Sequence, residues 1–141
     1  MRHLLASFLL LFGLHGSARA ADAFNAPDAQ QMRAVVQAQL DAFAAGDAAA
    51  AFAHAAPGVR QMFGTPEAFM AMVRSGYAVV VRPASVQFHA PRQVDGQWIL
   101  PVQMVDAAGA TWGVLYHLQQ QPDGAWRISG CEVVRRPGRM A

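Results

Sequence analysis

The spacing of apolar positions changes character near Tyr77. Before it, the apolar residues recur at helical intervals. Met32, Val35, Val36, Leu40 and Phe43 fall on one face of a helix that starts at Asp28, with Gln31 at the capping-box distance, and ends at Gly46. Asp47 is placed to cap a second helix, which carries Phe52 and stops at Pro57. Pro57 to Gly64 reads as a tight loop. Thr65-Pro66-Glu67 is a third start signal, with a cap, a proline in the first turn and an acid at the positive end of the dipole. That helix turns Phe69, Met72 and Val73 inward and ends at Gly76.

After Tyr77 the pattern becomes short extended runs divided by turn residues. A short extended piece at 78–82 leads in, followed by strands at about 84–94, 97–106, 111–121 and 125–135. Asp95-Gly96 is the strongest hairpin signal, and Ala107-Ala108-Gly109 and Pro122-Asp123-Gly124 mark two further turns. Three short helices followed by an antiparallel meander predict an α+β fold, with the helices packed on a curved sheet of four or slightly more strands.

Turn positions set register, and register sets faces. Closing the last hairpin at Pro122 to Ala125 pairs Gln121 with Trp126, His117 with Gly130 and Leu115 with Glu132. Trp112, Val114, Tyr116, Leu118, Cys131 and Val133 then share the core face. Leu115, His117, Trp126, Ile128, Glu132 and Val134 share the other. An outer face so apolar predicts a second neighbour, here a homodimer through the sheet. The first hairpin leaves two options. A regular ladder turns His89 inward beside Trp98, Leu100 and Met104, whereas a bulge near Pro91 exchanges it with Phe88.

The first twenty residues form a unit of another kind. Arg2 and His3 precede an eleven-residue apolar run, Leu4 to Leu14, too short to span a bilayer, and Ala18-Arg19-Ala20 gives a small-x-small cleavage pattern. Residues 1–20 are therefore expected to be a signal peptide cut before Ala21. A single α+β domain over 21–136 and a flexible tail at 137–141 follow. The expected location is the periplasm, with no membrane association after cleavage.

Cleavage changes the charge. The chain carries 11 basic residues, all arginine, and 9 acidic ones; without Arg2 and Arg19 the two signs balance at nine each. A neutral domain gives no electrostatic footprint for nucleic acid. Arg135, Arg136 and Arg139 form the one basic cluster and read as a solvated tail. Cys131 is the single cysteine and cannot form an intrachain disulfide; its apolar neighbours Ile128, Val133 and Val134 point to burial.

The segment "VVQAQLDAFAAGDAAAAFAHAAPGVRQMFGTPEAFMAMVRSGY", the following "VVVRPASVQF" and the closing "DGAWRISGCEVVR" resemble the bacterial group called domain of unknown function 4864, over about Gln37 to Arg135. That group in turn resembles the nuclear transport factor 2-like superfamily, whose members fold as a cone, a curved antiparallel sheet wrapped around helices, so the resemblance implies a cone-like arrangement here. The superfamily includes isomerases, dehydratases, cyclases and many non-enzymatic binding domains. The resemblance therefore implies a fold and leaves the function open.

No motif in the chain assembles a catalytic set. His54, His89 and His117 lack metal-ligand spacing, and there is no phosphate loop, nucleophile elbow or other cofactor signature, so no metal or cofactor is expected. The acids sit mostly at caps and turns; Glu132 alone lies within a strand, outward and diagonal to His117. The candidate ligand-binding residues are Arg60, Tyr77, Arg82, His89, Tyr116 and Glu132. The tyrosines are potential donors and the arginines potential anion holders. Met62, Phe63, Phe69, Met72, Trp98 and Trp112 are the candidate pocket lining, and each also reads simply as core. The expected function is binding of a small apolar or mildly anionic molecule, or of a partner protein. The alternative is a small isomerase, dehydratase or hydrolase using Tyr77, Tyr116, His89 or Glu132 in its pocket.

Overall fold

The computed structural model describes residues 26–136, so the expected signal at 1–20 and tail at 137–141 lie outside the described residues. Among the described residues five helices precede five strands, and the α+β expectation holds. The helices are α1 (Pro27–Ala44), α2 (Ala48–Ala53), α3 (Pro57–Phe63), α4 (Pro66–Gly76) and α5 (Ala78–Val81). The strands are β1 (Ser85–Phe88), β2 (Arg92–Val94), β3 (Gln97–Val105), β4 (Thr111–Gln120) and β5 (Trp126–Arg136).

The helix starts follow local chemistry. Asp47 accepts the Ala50 N–H at 3.0 Å and Thr65 accepts the Ala68 N–H at 3.1 Å, so both predicted caps form. Asp28 does not cap α1. The N-cap is Ala26, and Pro27 occupies the first helical position, where its fixed φ suits the helix and its missing N–H leaves nothing unpaired. The same device makes α3 where a loop was expected. Pro57 opens the helix instead of only closing the previous one, and Gly64, at φ 77°, ends it. The extended piece expected at 78–82 is also helical. Val79 and Val80 are both buried, and consecutive residues of a strand cannot both point inward.

All strand pairs are antiparallel, in the order β1-β3-β4-β5, with β2 pairing β3 beyond β1. The strand expected over 84–94 is thus two strands on one edge of β3. Phe88 pairs with Val102, yet Val94 pairs with Gln97, so the register slips by one residue across His89–Pro91. The slip turns Phe88 against the core and leaves His89 exposed, which decides between the two options left by the sequence. Asp95 and Gly96 both have positive φ, 50° and 76°, as a two-residue hairpin turn demands.

A second slip matters more for the site. His117 faces Gly130 and Leu115 faces Glu132, as expected, but Leu118 faces Ile128, leaving Ser129 as an extra residue in β5. Trp126 therefore opposes Gln120 and not Gln121. This corrects the face assignment of two residues. Trp126 and Ile128, placed outside by the unbroken register, are buried in the core at 4% and 5% exposure. The outer face keeps Leu115, His117, Glu132 and Val134 and loses the two large apolar members that made it look like an interface.

The core lies between α1, α4 and the inner sheet face, with Met32, Val36 and Leu40 against Leu100, Met104, Val114 and Tyr116. The α2–α3 corner is tied to β5 through the backbone. The Ile128 N–H donates to His54 O at 2.9 Å, and the Ala56 N–H donates to Ile128 O at 2.8 Å. The tie covers one edge of β5, which would otherwise be open to pairing. No helix among the described residues is long and apolar enough to cross a membrane.

His54 sits partly buried at this corner. Desolvation, with a smaller contribution from the Arg127 guanidinium, holds its imidazole below the usual 6.5. The unfolded chain then binds the proton more readily. The stability due to neutral His54 is complete above the unfolded value of about 6.5 and is lost as pH falls from there through the lower folded-state value. Urea denaturation at pH 7.5 and 5.5 should show a loss on acidification that is smaller in His54→Gln.

Candidate functional site

A cavity of about 450 Å³ opens between the helices and the inner face of the sheet. Phe43 of α1, Val59, Met62 and Phe63 of α3, and Phe69, Met72 and Val73 of α4 form its apolar walls. Phe69 is the hub, with ring centroids 6.0 Å from Phe43, 5.5 Å from Phe52 and 5.8 Å from Phe63. Ile128, Ser129, Gly130 and Cys131 of β5 close the sheet side, together with Tyr116 of β4. The bulge is what brings Ile128 and Cys131 to the same side although they are three residues apart. Helix α3 has no buried residue, and Met62, 76% exposed, marks its outer edge.

The polar groups of the cavity are few and neutral. Gln39 is buried and its Nε2 donates to Ala51 O at 3.1 Å. The Tyr116 hydroxyl is buried and has no hydrogen-bond partner among the described residues. Burial, helped by the neighbouring Cys131, raises its pKa well above 10, so it remains a protonated donor. Cys131 pairs across the ladder with Tyr116. Burial, then the nearby Glu132 carboxylate, pushes its thiol up to about 12. This group is not an activated nucleophile. A rise from the ordinary 9 lowers the thiolate fraction at pH 8 by about a thousandfold. Iodoacetamide should leave Cys131 unmodified in the native protein at pH 8 and alkylate it once urea unfolds the chain, as read by intact mass.

Of the residues singled out in the sequence, the structure brings Met62, Phe63, Phe69, Met72, Tyr77 and Tyr116 together around this cavity. It places the others elsewhere. Arg60 is exposed on α3 and is not among the residues that line the cavity. Arg82 donates to Ala44 O at 3.2 Å and borders a separate recess with Trp112. In that recess Asp106 accepts from Trp112 Nε1 at 2.9 Å and from the Ala108 and Ala110 N–H groups, which fixes the turn and lowers its pKa. His89 is exposed at the β1–β2 slip. Trp98 stacks edge-to-face on Trp126, centroids 6.2 Å apart, away from the cavity. Glu132 lies on the outer face, its Oε2 3.7 Å from His117 Nε2, too long for a hydrogen bond. It is 63% exposed there, and so cannot act in the cavity.

Sequence reasoning missed Gln39 and Ser129. Gln39 falls on the stripe of Met32, Val35, Val36 and Phe43, and a polar residue on an apolar stripe was the available signal. Ser129 precedes Gly130, and glycine inside a strand is a mark of bulges.

Comparison with known proteins adds one finding. No curated protein and no solved structure matches the chain. A family profile described as Domain of unknown function (DUF4864) matches residues 25–141, which takes in every element described above. The chain belongs to the DUF4864 domain family.

Proposed function

We propose that the protein is an exported, periplasmic binding domain that holds a small, largely apolar molecule without transforming it. The observation that carries this reading is the composition of the cavity wall: its sixteen lining residues include no aspartate, glutamate, histidine, lysine or arginine. A pocket of this size lined by Phe and Met suits an organic ligand of roughly 15 non-hydrogen atoms at interior packing density. Acid–base catalysis needs a group that exchanges protons near neutral pH. The two titratable groups with resolved shifts here, Tyr116 and Cys131, are both pushed in the direction that keeps them protonated. The export component rests on the N-terminal pattern of Arg2, the Leu4–Leu14 run and Ala18-Arg19-Ala20.

Expression with the native N-terminus followed by intact mass of the periplasmic fraction tests the location; a chain starting at Ala21 is the expected product. Binding is tested with N-phenyl-1-naphthylamine, an uncharged dye that brightens in apolar sites. Saturable 1:1 binding is expected, and a folded Val59→Trp variant, which fills the cavity from α3, should lose it. Non-saturating fluorescence, or undiminished binding by Val59→Trp, would sink the reading.

A further inference from the structure

We propose that the cavity selects an uncharged ligand whose oxygen accepts a hydrogen bond from the Tyr116 hydroxyl. This rests on the binding reading above and adds the chemistry of recognition.

Two independent observations carry it. The first is the buried Tyr116 hydroxyl itself, a donor on a lining residue with no partner among the described residues. A desolvated donor left unpaired is unfavourable in the free protein, so a ligand oxygen that reaches it removes a penalty as well as forming a bond. The second is the placement of charge. Arg60, Arg82, His89 and Glu132 all lie off the lining. A carboxylate or ammonium taken into the cavity would lose its water and meet no opposite charge, which is far more costly than burying a carbonyl, ether or hydroxyl. Gln39 has one of its two Nε2 hydrogens bonded to Ala51 O, whereas the Tyr116 hydroxyl is wholly unpaired among the described residues. The ligand class is therefore a neutral molecule with a hydrocarbon body and one accepting oxygen, such as a medium-chain ketone or ester.

The test is displacement of N-phenyl-1-naphthylamine by 2-dodecanone and by dodecanoate, which share a chain and differ in charge. At pH 7.5 the ketone should displace the dye at a concentration at least tenfold lower. Tyr116→Phe should weaken the ketone by about tenfold, the size of one hydrogen bond. The wild-type protein provides a second measurement that needs no variant. Displacement by dodecanoate should strengthen as pH falls towards its carboxyl pKa, because the neutral acid is the form that fits. Equal displacement by ketone and carboxylate at pH 7.5, or ketone binding indifferent to Tyr116→Phe, overturns this inference and leaves the binding reading standing. Failure of the dye to bind at all overturns both.

Discussion

Leu100→Ala should destabilise the protein by about 2–5 kcal/mol, a large share of the 5–15 kcal/mol that holds a domain of this size. Leu100 has no solvent exposure and pairs across the ladder with Tyr116, so it stands beside that cavity-lining tyrosine on the same sheet face. Truncation removes its transfer energy and leaves a void that the sheet cannot close, since Met104 and Val102 on the same strand are equally fixed in the core. Urea denaturation measures the loss. Met62→Ala is the contrast. With 76% of its surface exposed it should stay within about 0.5 kcal/mol of wild type, although it borders the cavity. A Leu100→Ala loss below about 1 kcal/mol would mean that the packing beside Tyr116 is already loose.

Tyr116→Phe should do the opposite and stabilise the free protein by about 1–2 kcal/mol. Most substitutions in a core destabilise, which makes the sign diagnostic. The ring stays, with its packing against the inner sheet face, and only the unpartnered hydroxyl is removed. The penalty of holding that group away from water is relieved at the loss of a few dispersion contacts. Thermal unfolding without added ligand reads the change. A lower melting temperature for Tyr116→Phe would show that the hydroxyl forms a structural bond in solution, and its role as a free donor would fall with it.

The helical half of the molecule was legible wherever side chains signal directly. Asp47 and Thr65 cap as their positions require, and Gly46 follows α1 with positive φ. Pro57 was ambiguous for a physical reason, because proline both ends one helix and opens another. The sheet was legible at its turns, where Asp95-Gly96 has one favoured geometry, and illegible at its slips. A bulge adds one residue without changing composition, so Trp126 and Ile128 changed faces on the strength of Ser129 alone. The cavity inherits that difficulty. Phe43, Phe69 and Met72 follow from helical periodicity, Met62 and Phe63 lie in the segment that reads as a loop, and the β5 wall depends on the bulge. The charged residues suspected from the sequence stand off the lining because a dry pocket of this composition cannot hold them unpaired.

The backbone tie between the α2–α3 corner and Ile128 also orders events in time. His54 O and Ala56 N–H wait for a partner that lies 72 residues further along the chain than Ala56. Synthesis at about 5–20 residues per second delivers it roughly 4–14 seconds later. Until then the corner has no strand to dock on, although β3 and β4, which face the apolar stripe of α1, have already been made. β5 both completes the sheet and ties the α2–α3 corner to it, so a chain that stops short of β5 lacks the strand on which that corner docks.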